Sequence, residues 1–468
     1  MGGCPSGVGD GQERMKRKIL ILCTVLIVVA LGFWCANRWD AWFGNPDEAS
    51  YVVPSVPTRV LLTFGDADGM NRNVSWMCGT EVCEASVELV DEEMGGGDWV
   101  GAVGEVFESR SGKAAYYVAR LRNLEAGHYY RYRVWTGDEV SKWYGFFVQN
   151  AAEGETSFLY MGDIQDTIGG IANQLLREAF RRNPDAEFFV CGGDLTERPT
   201  DAYWGETFES LDSVGQAVPV LTITGNHDYL KGVICQLERR FSLVHSYFLD
   251  SMEGENQVFT VHYKDVQLFC LDSNREFFYL WTQRKWLEQQ LTASTAKWKV
   301  VVLHHPLYSI SGSMNNLIQR WMFDGLIREQ GVDLVLQAHE HAYARMTQHG
   351  EDGVAMPPVY TVSHCSPKNY RIKFSERFDK FGSGSRYYQK VRTNGDTLFL
   401  SATDACEGTL YDSLYVVKRG NRVKLVDEGK DIPEHIEFTP NPNNRKDVAF
   451  AERIKEYKAR RTRELKGN

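Results

Sequence analysis

Asp163, Asp194, Asn226, His304 and His339 each stand where an apolar run of the sequence gives out, and His341 follows His339 by two positions. In an extended segment alternate side chains share a face, so the imidazoles of His339 and His341 are expected to point the same way. Aspartate, asparagine and histidine are the mix that suits two divalent cations sharing a bridging carboxylate. Carboxylates lower the summed charge, and imidazole suits iron, zinc or manganese. Two such ions bind phosphoryl oxygens, acidify a bridging water and steady an in-line displacement. The chemistry indicated is hydrolysis of phosphate esters without a covalent protein nucleophile.

The elements that would position these residues are buried strands. "SFLYMGD", "AEFFVCGGD", "VPVLTITGNHD", "KWKVVVLHHP" and "VDLVLQAHEH" read as continuous apolar strands. Helical periods run through "IANQLLREAFRRN", "LWTQRKWLEQQL" and "NLIQRWMFDGLIREQG". Apolar strands alternating with helices mean an α/β sheet covered on both faces, whose carboxyl-end loops build the site. Residues 51–150 read as all-β, with strands in "RNVSWMC" and "AAYYVARLRNL" and a hairpin turning at Thr136-Gly137-Asp138.

The five blocks "MGDIQDT", "GGDLTE", "GNHD", "VVLHHP" and "AHEHAYAR" resemble, in order, those of the calcineurin-like metallophosphoesterases, and most closely the purple acid phosphatases. The resemblance covers about residues 55 to 425. It implies a four-layer α+β sandwich over 151–430, preceded by a fibronectin type III-like β domain over 51–150. It also implies roles. Asp163 and His341 would bind the first metal, Asp194 would bridge, and Asn226, His304 and His339 would bind the second. His227 would face the substrate and protonate the leaving alkoxide, with Asp228 orienting it.

The chain departs from the family pattern. Where the purple phosphatases have a tyrosine that gives them their colour, this sequence has Glu197, and where related enzymes have DxH it has Asp163-Ile164-Gln165. Gln165 or Glu197 could fill the first-metal position, and position favours Gln165. Ala338 stands for a glycine, and Met314 for a histidine of the plant enzymes. Arg345, which closes the last block, and His364, which ends the strand in "VSHCSP", are candidate substrate contacts. Lys368 to Arg392 reads as a lid or a solvated loop.

Composition bounds the partners. The 468 residues are 43% hydrophobic and 24% charged with a net charge of −10, which argues against a nucleic-acid binder and suggests two or three domains. Ile19 to Ala36 is an 18-residue apolar run preceded by Arg14, Lys16, Arg17 and Lys18. At about 1.5 Å per residue it spans a bilayer core. The flanking charges place residues 1–50 as a signal anchor, with the bulk of the chain periplasmic or extracellular. A cleaved signal and a secreted product is the alternative. Seven cysteines lie beyond this run, and Cys78 with Cys83 is the one local pair that could close a disulfide. Residues 431–468 form a charged tail.

The leading expectation is a membrane-anchored binuclear phosphatase of phosphomonoesters. A phosphodiesterase or pyrophosphatase with the same metals is the alternative within enzymes, and a non-catalytic surface ligand-binding protein the alternative outside them.

Overall fold

A computed structural model describes residues 8–150, 155–247, 249–252, 255–312, 314, 316–350, 353–420 and 422–467. The chain divides into two compact units. One holds the chain through Asp47 with Tyr229–Leu237, and the other holds Glu48–Asp228 with Glu238–Asn468. In the first, the helix Val8–Phe43 contains Met15–Phe43, long and apolar enough to cross a membrane. Tyr229–Leu230 and Gln236–Leu237 pair as a short hairpin in that unit.

The second unit begins with antiparallel β structure. The 13-residue strand Gly97–Ser109 pairs through its first half with Ala85–Asp91 and through its second half with Gly112–Leu121. Residues from both halves, Val60, Val74 and Trp76 with Val87, Tyr132 and Val134, share one apolar core, so the two halves fold over each other as a sandwich. Its glycines hide that long strand from a reading of alternation. Arg59 ties this layer to the rest of the unit through the Asp201 carboxylate at 2.8 Å.

Beyond residue 155 two sheets lie face to face. Glu155–Met161, Phe188–Cys191 and Val220–Thr222 run parallel in one. Val266–Leu271, Trp298–Leu303, Leu334–Gln337 and Ala355–Val362 run parallel in the other. Strand alternation sets the layers. Val300 and Val302 join Phe158, Tyr160 and Val190 in the core between the sheets. Val301 and Leu303 turn instead to Leu287 and Leu291 of the helix Phe277–Ala293, and to Phe323 and Ile327 of Leu317–Glu329. On the far side, Phe180 of the helix Ala172–Arg182 meets Phe189 edge-on at 5.8 Å. The order is helix, sheet, sheet, helix.

Three expectations need correction or comment. Lys368 to Arg392 is not one loop: Tyr387–Asn394 is an interior strand bonded to Glu155–Met161, and Tyr387 and Tyr388 are buried there. Its aromatic residues serve the core. Cys78 and Cys83 are not bonded to each other, and Cys78 Sγ instead donates to the Ser55 carbonyl at 2.9 Å. The expected boundary at 150–151 falls on 151–154, outside the described residues.

Candidate metal centre

Parallel pairing brings the strand ends together. Cys191 is in register with both Met161 and Thr222, and Val302 with both Cys270 and Leu336. Asp163, Asp194, Asn226, His304 and His339 therefore leave their strands at one edge. Three of them do so in the left-handed region, with φ of 47° at Asp163, 54° at Asp194 and 69° at His339. Non-glycine residues rarely hold this conformation, which costs on the order of 1–3 kcal/mol each and clusters at functional sites. The neighbouring glycines make room for the crowding. A Cβ on Gly225 would sit 2.1 Å from Asp194 Oδ1, and one on Gly162 would sit 2.4 Å from the Ala338 Cβ. The bare Gly162 thus makes the space that Ala338 needs where the resembling family has glycine.

The two histidines do not converge by strand alternation. Residues 338–342 form a tight turn in which Glu340 N donates to Ala338 O at 2.8 Å, and the left-handed His339 redirects its ring. Glu340, between them, is buried and accepts from Ser311 N at 3.0 Å and Ser311 Oγ at 2.9 Å, which fixes the turn.

The donor atoms gather without enough protons to satisfy them. Asn226 Oδ1 lies 3.2 Å from His304 Nε2 and 2.8 Å from His339 Nδ1, and those two ring nitrogens are 3.3 Å apart. Asp194 Oδ2 is 3.4 Å from His304 Nε2. His304 Nδ1 donates to the Gly192 carbonyl at 2.8 Å, so in the neutral ring Nε2 presents a lone pair to these acceptors. On the other side, His341 Nε2 is 4.0 Å from Asp163 Oδ1, an oxygen that is buried without a hydrogen bond. Asp163, Asp194 and His304 are fully buried, and their ligand atoms lie within 4.8 Å of one another. Buried lone pairs aimed at each other are the signature of a cation site.

The electrostatics agree. Burial opposes charge on His304, yet the Asp194 and Asp163 carboxylates outweigh it and push its pKa to about 9. A proton there stands in for a cation. Burial, together with the His304 charge, pushes His339 down to about 3. Burial and the Asp194 carboxylate raise Asp163 well above the usual range, whereas His304 overcomes burial and holds Asp194 below it.

The remaining expected residues divide. Gln165 is buried, and neither its Oε1 nor its Nε2 makes a hydrogen bond, although its backbone N–H donates to Asp194 O at 3.1 Å. Glu197 directs its carboxylate to Lys368 Nζ at 2.7 Å, and its carbonyl accepts from His227 Nδ1 at 2.7 Å. Asp228 does not take the expected hydrogen bond from His227. Its Oδ2 accepts from Gly225 N at 2.8 Å and Asp194 N at 3.1 Å, because the turn 226–228 swings it under the loop. Burial and the Asp194 carboxylate raise its pKa to about 8.

His364 is buried with both ring nitrogens unpaired, its ring 5.9 Å from that of His341. Arg345 is no substrate contact. It is buried, with Nε on Asp412 and Nη2 on Asp427, each at 2.7 Å, and Nη1 on Asp379 at 3.4 Å. Sequence reasoning missed Lys368 and Tyr370 as individual residues. The Tyr370 ring packs 4.7 Å from His341, and its N–H donates to the His341 carbonyl at 3.1 Å. The signal was their place in the basic, aromatic run "KNYRIKF".

Comparison with known proteins bears on this geometry. Residues 156–343 match the family model for calcineurin-like phosphoesterases. A phosphoenolpyruvate phosphatase of Allium cepa is 24% identical over 330 residues, covering 64% of this chain and 65% of that protein. Purple acid phosphatase 17 of Arabidopsis thaliana is 25% identical over 256 residues, covering 48% and 72%. The chain thus spans a little under two thirds of the first relative's length. Among solved structures, a purple acid phosphatase from yellow lupin (Lupinus luteus) seeds superposes with a TM-score of 0.66 at 16% identity, over 79% of this chain and 76% of that one. PhoD gives 0.57 at 13% identity, over 91% and 100%. Strand-end polar residues, the four layers and these relatives converge: residues 156–343 carry a calcineurin-like phosphoesterase domain similar to that of the purple acid phosphatases.

Proposed function

We propose that this chain is a binuclear-metal phosphatase that hydrolyses phosphomonoesters. The observation that carries the reading is the convergence of His304 Nε2, His339 Nδ1 and Asn226 Oδ1 beside the Asp194 carboxylate, a set that protons alone leave unsatisfied. Asp163, His341 and Gln165 would hold one divalent ion, Asn226, His304 and His339 the other, with Asp194 between them. Iron, manganese or zinc suits this mixture of imidazole, amide and carboxylate. When bound, such ions supply Lewis acidity toward phosphoryl oxygens and water.

The side chains do the rest. His227 donates from Nδ1 to the Glu197 carbonyl, which leaves Nε2 as the nitrogen that can hold a proton for a departing alkoxide. Asp228 fixes the Asp194 and Gly225 amides, and so the loops that carry the ligands.

The apolar helix Met15–Phe43 and the basic residues before it support a membrane anchor with the catalytic part outside the cytoplasm. A reporter active only outside the cytoplasm, fused after residue 46, is expected to be active and membrane-bound. Soluble, shortened product would mean cleavage.

The test of activity is a panel of phosphomonoesters, diesters and pyrophosphate assayed on the purified protein, with metal content measured in parallel. Monoester turnover that vanishes with bound metal in Asp194→Ala is the expected result. Preference for diesters or pyrophosphate would move the reading to that class, and turnover above a few per cent of wild type in Asp194→Ala under matched metal would overturn the centre.

A further inference from the structure

The turn that carries His339 and His341 has a second neighbour. A cavity of about 770 Å³ opens between the loop around Tyr370 and the start of the C-terminal helix Arg445–Gly467. Two of its lining residues grip the histidine turn directly. Tyr370 packs its ring 4.7 Å from His341, and Ser311 donates from both N and Oγ to Glu340. Through Tyr370 and Ser311 the cavity thus shares part of its wall with the turn that carries His341, a residue of the proposed metal centre.

Its charge is one-sided. Arg371, Arg445, Lys446 and Arg453 line it, against the single carboxylate of Asp447. That carboxylate is engaged by Arg371 at 2.6 Å. Among the described side chains no carboxylate pairs with Arg445, Lys446 or Arg453, although the chain as a whole carries a net charge of −10. Three cations without a carboxylate partner, one of them (Arg453) stacked over the Phe450 ring, line a concave site next to the turn of the proposed centre and are set to hold a second anionic group.

The geometry points to a substrate class: phosphomonoesters whose leaving group carries at least one further phosphate, seated against Arg445, Lys446 and Arg453 while the scissile phosphate lies at the metal centre. This inference rests on the phosphatase reading, and its test keeps the two apart.

Hydrolysis of phenyl phosphate, whose leaving group carries no further phosphate, is compared with that of a hexose monophosphate and the matching hexose bisphosphate, for wild type and Arg445→Glu/Lys446→Glu. Both substituted residues are exposed on the helix surface, and circular dichroism and melting confirm folding. Wild type is expected to favour the bisphosphate over the monophosphate by about tenfold or more in kcat/KM, a preference that shrinks as salt rises. The variant is expected to lose that preference, chiefly through KM, and to turn over phenyl phosphate within about twofold of wild type.

Equal kcat/KM for the two sugars in wild type, or a preference the variant keeps, overturns the inference while phenyl phosphate turnover leaves the phosphatase reading standing. If no substrate is turned over, the phosphatase reading fails, and calorimetric binding of inorganic triphosphate still decides the cavity. Binding weakened about tenfold or more in the variant supports it, and equal binding overturns it.

Discussion

His227 donates from Nδ1 to the main-chain carbonyl of Glu197 at 2.7 Å, and not to Asp228. A carbonyl only accepts, so this bond sets the tautomer and aims Nε2 outward. His227→Ala is expected to keep both metals and to lose about 10²–10⁴ in rate on alkyl phosphates, with a smaller loss on aryl phosphates. Asp228→Asn should slow both substrates alike, because Asp228 holds ligand loops and not the acid. Equal losses on both substrates for His227→Ala would remove the acid role.

Gln165 and Glu197 separate by what they already bind. Gln165→Ala should halve the bound metal on elemental analysis, since its buried amide has no other partner. Glu197→Gln should keep both ions, because its carboxylate is tied to Lys368. With no tyrosine in either place, the active protein is expected to lack a broad visible tyrosinate-to-iron band. The tyrosine packed on His341 is Tyr370. A band that disappears in Tyr370→Phe would reverse this expectation.

Arg345 tests structure against function. Arg345→Met leaves the buried Asp412 and the half-buried Asp427 and Asp379 without their shared cation and is expected to cost about 3–5 kcal/mol in denaturant unfolding. A rise in KM with unchanged stability would restore it as a substrate contact.

His245 packs among the rings of Trp204, Phe241 and Tyr247, and burial pushes its pKa from 6.5 to about 3. The unfolded chain therefore takes up a proton between those values that the folded chain refuses. Stability is lost as pH falls from about 6.5 toward 3, by up to about 1.4 kcal/mol per pH unit from this group. His245→Leu should flatten that slope in unfolding measured from pH 7 to pH 4, and an unchanged slope would place the acid sensitivity elsewhere.

The strand ends that carry Asp163, Asp194, Asn226, His304 and His339 were legible because continuous apolar runs stop at polar residues. Long-range contacts were not. Nothing near Arg345 in the chain announces Asp412 and Asp427, and nothing near Tyr387 says that its strand lies beside Glu155–Met161. Basic and aromatic residues look alike whether they meet solvent or a partner far along the chain, which is why 368–392 read as loop. The His339–His341 pair taught the opposite lesson. The strand end lies where it was expected, and the assumed extended geometry does not hold, since a left-handed φ leaves no mark in composition.

That left-handed backbone has a consequence for any effort to make this protein sturdier. At positions 163, 194 and 339 glycine would adopt the required φ more readily than the aspartates and histidine found there. If these residues hold metal as proposed, heat resistance and metal affinity ask for different residues at the same three sites. Selection for thermal survival alone should enrich glycine at them and yield robust, metal-free proteins. Selection that also demands bound metal should leave all three in place and find its gains elsewhere in the chain.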